Sequence, residues 1–111
     1  MVASNERKAD NPQAAAAIDR IIHEPARYMI MAYLYVVESA DFIFLLNQTG
    51  FTRGNLSSHI ARLEESGYVE VIKEFVAKKP HTMLQLTPHG RQAFQIYTHT
   101  MKQALNNLPV G

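Results

Sequence analysis

Cysteine is absent from this chain of 111 residues. Disulfide bonds, thiolate metal sites and catalysis by a thiol are therefore excluded, and the absence fits the reducing cytoplasm, where we expect the protein to work. Long apolar runs are also missing, because the longest, residues 28–37, is too short to cross a bilayer. A hydrophobic content of 47% with 19% charged residues indicates one small folded domain rather than a disordered chain.

Motifs for catalysis and for cofactor binding are equally scarce. The sequence contains no glycine-rich phosphate loop. Ser57, Ser58 and His59 form the only cluster with a potential nucleophile, but neighbouring residues on a helix do not face one another, and no carboxylate is placed to orient the histidine. The histidines also lack a convincing helical spacing for metal ligands. We therefore expect no enzyme activity, no cofactor and no metal site.

The net charge of +1 says little by itself, but the charges are unevenly distributed. One basic segment in the second half of the chain holds a single acid, Glu74. An uneven field of this kind can steer an anion to one face of a protein. The alternative is an ordinary solvated surface. The basic residues of the segment are Lys73, Lys78, Lys79 and Arg91, and acids of the first half are Glu24, Glu38 and Asp41.

Apolar spacing predicts three helices in the first half of a domain that spans residues 13–111, after a flexible tail at residues 1–12. The first helix covers residues 13–23. The second, residues 26–38, is apolar almost all round and is expected to be buried. Asp41 is expected to cap a short third helix that ends near Gln48.

A tight turn at Thr49-Gly50-Phe51 leads into a fourth helix, which Thr52 caps and Gly67 terminates. Two helices joined by such a turn match the helix-turn-helix pattern. Strands are predicted over residues 68–75 and 83–86, with a polar loop over residues 76–82, and a last helix runs from Pro88 to about residue 107. The predicted fold class is mainly α with a β-hairpin, in the order α-α-α-α-β-β-α.

The fourth helix has one apolar and one polar face. Leu56, Ile60 and Leu63 share a narrow face that is expected to pack on the core. Small residues on the other side would let the helix enter the DNA major groove, where Arg and Asn read base edges. An ordinary solvated helix is the alternative, and for His59 a packing role is the stronger interpretation. The predicted DNA contacts are Thr52, Arg53, Asn55, Ser57, Ser58, His59 and Arg62.

The hairpin after this helix is expected to carry Lys78, Lys79 and His81 at its tip. Two lysines there suit a phosphate backbone or the adjacent minor groove. The alternative is a turn that only keeps the protein soluble, since lysine is common on exposed strand edges. A histidine near phosphates would gain a proton. On this interpretation DNA affinity should weaken as the pH rises from about 6 to 8.

Four segments together resemble the winged helix-turn-helix regulators of the MarR/ArsR type, in particular a small single-domain subgroup. The first two are His23-Glu-Pro-Ala-Arg27 before an apolar helix, and Leu56-Ser-Ser-His-Ile60 followed by Leu63 and Gly67-Tyr-Val69. The others are Lys79-Pro-His-Thr82, similar to the tip of the wing, and Leu86-Thr-Pro-His-Gly90 at the start of the last helix. His81 stands where the subgroup often carries a wing arginine.

The resemblance implies a transcriptional regulator, by expectation a repressor, that binds a pseudo-palindromic DNA operator as a homodimer. It also implies that the first and last helices form the dimer; the alternative is that both apolar stripes complete the core of one monomer. The dimer residues would be Ile18, Ile21, Ile22, Phe94, Tyr97, Met101 and Leu105.

Tyrosines and methionines of the second helix suggest a small-molecule effector as a further partner, with an aromatic core as the alternative. The rival function is a winged-helix docking module that binds another protein and no DNA.

Overall fold

The computed structural model describes residues 18–108, which form four helices and one three-stranded antiparallel sheet. The predicted fold class is confirmed, and from the second predicted helix onward the elements follow the predicted order, with one short strand added. The elements are α1 (Pro25–Val37), β1 (Ser39–Asp41), α2 (Phe42–Thr49), α3 (Arg53–Glu65), β2 (Val69–Val76), β3 (Lys79–Leu86) and α4 (Pro88–Asn106).

The chain enters α1 through a capped turn. The Asp19 carboxylate accepts hydrogen bonds from the amides of Ile21 and Ile22, so residues 18–23 form a turn and not the end of the predicted first helix. The rest of that helix, residues 13–17, lies outside the described residues. Glu24 then caps α1 by accepting from the amide of Arg27, and Pro25 occupies the first turn, where its missing N–H costs nothing.

Burial of α1 is one-sided. Ile30, Met31 and Leu34 lie in the core, whereas Met29 is 41% exposed and Val36 is 78% exposed. The prediction that this helix is buried all round is therefore wrong. A continuous apolar sequence does not distinguish a central helix from one that leaves an apolar face on the surface.

The helix-turn-helix unit is confirmed in detail. Asp41 caps α2 through the amide of Ile43, and Gly50 ends the helix with a φ of 72°, a left-handed conformation that favours glycine. Thr52 caps α3 by accepting from the amide of Asn55. Within residues 18–108 one core forms between the four helices and the sheet; its fully buried members include Leu45, Leu56, Leu63 and Leu84.

The sheet has the order β1-β3-β2, and its first strand was missed by the sequence analysis because three residues are too few to show an alternating pattern. β1 pairs with β3 only from Ser39–Gln85 to Asp41–Met83. The β2–β3 hairpin continues further, to the pair Val76–Lys79.

The predicted loop over residues 76–82 is wrong, since β3 already begins at Lys79. Ala77 and Lys78 alone make the turn, with φ values of 52° and 66°. Two successive left-handed residues are the pattern of a type I′ hairpin turn, which usually contains Asn or Gly. Because neither residue stands at these positions, no signal for a tight turn is present in the sequence. Pro80 is tolerated in β3 because β1 does not reach that far.

No helix among the described residues is both long and apolar enough to span a membrane.

The start of α4 is fixed against the end of α3. The Thr87 hydroxyl donates to the carbonyl of Gly67 at 2.6 Å, and the Thr87 amide donates to the carbonyl of Tyr68 at 3.0 Å. This arrangement brings Gly90 onto the Tyr68 backbone so closely that an added Cβ would lie 2.0 Å from its carbonyl oxygen. Only glycine fits there.

We expect Gly90→Ala to be strongly destabilising, by about 3 kcal/mol or more, since neither the backbone of Tyr68 nor the helix can yield without breaking the Thr87 contacts. Gly54→Ala is the matched control. A Cβ at Gly54 meets nothing within 4 Å, so that exchange should be neutral or stabilising by up to about 1 kcal/mol. Urea unfolding of both variants tests this, and equal midpoints would contradict it.

Candidate nucleic-acid interface

The outer face of α3 is open to solvent. Leu56, Ile60 and Leu63 are buried as predicted, and this fixes the orientation of the rest of the helix. Between the buried positions lie exposed polar side chains and the small residues Gly54 and Ala61. The exposed polar residues are Thr52, Arg53, Asn55, Ser57, Ser58 and Arg62, followed by the two acids Glu64 and Glu65 at the end of the helix.

His59 differs from the other predicted contacts, because it is half-buried against the start of α1. Its Nδ1 lies 3.2 Å from Nη1 of Arg27 and 3.9 Å from the carboxylate of Glu24. The Arg27 Nε atom also donates to the carbonyl of Ile21 at 2.6 Å. The cluster joins the Glu24 cap of α1 to the middle of α3, which supports the packing interpretation of His59.

At the hairpin, Lys78 lies in the two-residue turn and Lys79 is the first residue of β3; both are exposed. His81 does not lie at the tip. It sits within β3, and its Nδ1 is 2.7 Å from Oδ2 of Asp41. This hydrogen bond is the main reason that the pKa of Asp41 is lowered from its usual value. The placement of His81 at the tip, on which the predicted loss of affinity above pH 6 depended, is wrong.

A cleft of about 700 Å³ separates α3 from the hairpin. We call it the α3–hairpin cleft; it is lined on the helix by Arg53, Ser57 and Glu64, and on the sheet by Lys73 and Thr82. Arg53 and Ser57 were predicted for the site from the sequence, whereas Lys73 and Thr82 were not. The signal that could have found them is the alternation of the hairpin, since Lys73 and Thr82 are directly opposed.

The two faces of the hairpin carry different charge. On the face toward the cleft, the opposed pairs are Val71–Leu84 and Lys73–Thr82, so lysine is the only charge. On the other face, Glu70 opposes Gln85, Glu74 opposes His81 and Lys79 opposes Val76, so the two glutamates outnumber the one lysine. An anion is therefore favoured on the side of the hairpin that faces α3, and disfavoured on the side that faces away.

The residues predicted for a dimer interface fall into three groups. Ile22, Phe94 and Tyr97 are at most 9% exposed and belong to the core of the chain itself. Ile18, Ile21 and Met101 pack partly against that core. Leu105, near the end of α4, is 68% exposed. Other exposed apolar side chains on α1 and α4 are Tyr28, Met29, Val36, Val37 and Ile96.

Between the start of α1 and the second half of α4 lies an open groove of about 510 Å³, lined by His23, Tyr28, Tyr97, Met101 and Leu105 among others. The hydroxyl of Tyr97 is 2.8 Å from Nδ1 of His23. Burial is the main cause that raises the pKa of Tyr97, so its hydroxyl keeps its proton at neutral pH. We call this the α1–α4 groove.

The family model described as "Winged helix DNA-binding domain" matches residues 26–105, which include every element from α1 to α4. The chain belongs to this family. The winged helix is 34% identical over 89 residues to an uncharacterized protein of Methanocaldococcus jannaschii, an alignment that covers 80% of this chain and 97% of that one.

Two solved structures place the winged helix among regulators. It is similar to a transcriptional regulator homologue from Pyrococcus horikoshii OT3, with 29% identity and a TM-score of 0.78 over 83% of this chain and 91% of that one. It also shares the fold of an E. coli MarR mutant complexed with operator DNA, with 16% identity and a TM-score of 0.62 over 87% of this chain and 69% of that one. The resemblance to MarR-type regulators is confirmed. In this winged helix, α3 is the recognition helix and the β2–β3 hairpin is the wing.

Proposed function

We propose that this DNA-binding transcriptional regulator recognises a specific, pseudo-palindromic duplex site as a homodimer and acts there as a repressor. The observation that carries the proposal is the polar face of α3: among the described residues, no side chain of the chain itself covers it. Repression needs no further surface, because a bound dimer occludes the DNA that it contacts.

The geometry supports insertion of α3 into the major groove. Gly54, Ser58 and Ala61 keep the outer face narrow, and Arg62 and Asn55 carry the groups that bind guanine and adenine edges. The free amides of the first turn of α3 add a phosphate contact that reads no sequence. Arg53 and Lys73, on opposite sides of the α3–hairpin cleft, suit the phosphate strand beside the groove.

A second copy of the chain is the proposed partner on the apolar surface of α4. Leu105 and Ile96 are 68% and 59% exposed, and Ile18, Ile21 and Met101 lie partly exposed. Apolar area of this kind usually marks an interaction surface. A two-fold dimer would place its recognition helices about 34–36 Å apart, on successive major grooves.

The α1–α4 groove is the proposed effector site. Its lining is largely apolar, and the hydroxyl of Tyr97 supplies an oriented polar group beside His23. Such a combination suits a planar aromatic compound with one polar substituent. Because Leu105 and Met101 belong both to this groove and to the proposed dimer surface, an occupant would act on the spacing of the two recognition helices.

Arg62→Ala should weaken specific DNA binding by about 1–3 kcal/mol, because it removes a base contact from the proposed interface. Lys102→Ala is the control, since it removes one exposed positive charge from the second half of α4, away from α3. Fluorescence anisotropy on a duplex selected from a random pool gives both affinities.

The affinity of the parent protein for DNA should also fall steeply with salt. A protein that binds no duplex at low salt but retains a stable protein partner would instead be a docking module.

Leu105→Glu should convert the dimer into a monomer, because it places two carboxylates in the proposed apolar contact. Val76→Glu, a similar exchange at the 48% exposed Val76 of the wing, should leave the dimer intact. Light scattering after size-exclusion chromatography gives the masses. A parent protein that is already monomeric at micromolar concentration would refute the dimer.

A panel of planar phenols and aromatic carboxylates should contain compounds that raise the melting temperature. A ligand at about 100 times its Kd stabilises by about 2.7 kcal/mol. Tyr97→Phe keeps the ring in the core and removes the hydroxyl, so it should reduce the shift. If no compound shifts the melting temperature of the parent protein, the effector proposal is wrong.

A further inference from the structure

An aromatic side chain near the tip of the wing is exposed to solvent. Phe75 is 77% exposed, the largest exposure of any aromatic side chain among the described residues. Its cross-strand partner is Pro80, which is also exposed. A phenylalanine left in water forgoes the stabilisation that burial of its ring would provide, and neither the core nor the turn requires an aromatic residue at this position.

The register places this ring on the side of the wing that faces α3. Residues two apart in a strand share a face, so Phe75–Pro80 follows Lys73–Thr82 outward on the same face. Lys73 and Thr82 line the α3–hairpin cleft. The Phe75–Pro80 pair therefore lies directly beyond the cleft, toward the tip of the wing.

The charges around the pair favour an anionic partner. Lys73 precedes it on the same face, Lys78 follows it in the turn, and Lys79 is next to it in β3 with its side chain on the opposite face, beside Val76. The two nearby acids are Glu74 and Asp41. Glu74 lies on the other face of the wing, opposite His81, and Asp41 is hydrogen-bonded to His81 on that face. Within the cleft itself, Glu64 stands on the helix side. An apolar pair flanked by lysines matches DNA better than an apolar protein surface.

We infer that Phe75, backed by Pro80, is an apolar wedge that enters the minor groove and opens a base step, so that the bound DNA is bent. The inference rests on the proposed function: with α3 in the major groove and a phosphate strand in the α3–hairpin cleft, the face beyond that strand meets the next minor groove. Apolar side chains inserted there unstack bases and kink the duplex by about 20–90°.

The test compares Phe75→Ala with Val76→Ala. Val76 is the neighbouring apolar residue, 48% exposed, and its side chain lies on the opposite face of the wing. Both variants should melt like the parent protein, because neither side chain is in the core. The probe is a short duplex selected from a random pool by the parent protein, with a donor and an acceptor dye at its ends and 2-aminopurine at steps near each end of the site.

The parent protein should shorten the end-to-end distance and raise the 2-aminopurine fluorescence. Phe75→Ala should abolish both signals and weaken binding roughly tenfold, equivalent to about 1.4 kcal/mol. Val76→Ala should retain both, and Phe75→Leu should restore part of the bend.

Tight binding without a bend, or the same bend with Phe75→Ala, would overturn the wedge while leaving the DNA-binding proposal standing. Absence of any duplex binding by the parent protein would overturn both. A change in the mass of the free protein on Phe75→Ala, with an unchanged bend, would assign the ring to a protein contact and would also overturn the wedge.

Discussion

The burial of one stripe of α3 is the constraint on which the interface depends. Leu56, Ile60 and Leu63 pack into the core that α1 and the sheet complete, and this contact leaves the helix only one orientation. A helix turned by half a revolution would bury Arg62 and expose three apolar side chains, at a cost of several kcal/mol. The same packing that stabilises the domain therefore determines which residues meet the solvent and, on our proposal, the DNA.

Polar side chains at the contacts between the helices also fix the orientation of α3. The Glu24 cap, Arg27 and His59 hold the start of α1 to α3, and Thr87 holds the start of α4 to the residues that follow α3. Tyr68, next to that joint, donates its hydroxyl to Asp19 of the capped turn; burial and this bond raise its pKa to about 12. The recognition helix is thus held near its middle and just beyond its C-terminal end by hydrogen bonds, in addition to packing.

Features that repeat along the sequence were predictable, and features set by pairing were not. The caps at Asp41 and Thr52 and the stripe of α3 follow from local spacing, so the helix-turn-helix unit and the polar face were found from the sequence. The position of His81 and the role of Lys73 depend on the register of the wing, which the turn at Ala77 and Lys78 sets without the usual turn residues. The apolar face of α1 was misread because hydrophobicity alone does not reveal which side of a helix lacks a neighbour.

The unequal lengths of the strands divide the wing into two mechanical parts. From its base to Met83, β3 has a strand on both sides, whereas beyond Met83 only β2 supports it. The outer half is therefore a two-stranded ribbon on a stiff three-stranded base, and ribbons of two strands twist more freely than wider sheets. On our proposal, the outer half of the wing can therefore adjust its twist to DNA grooves of different width. The three-stranded base, next to the Asp41–His81 hydrogen bond, stays fixed to the helix-turn-helix unit.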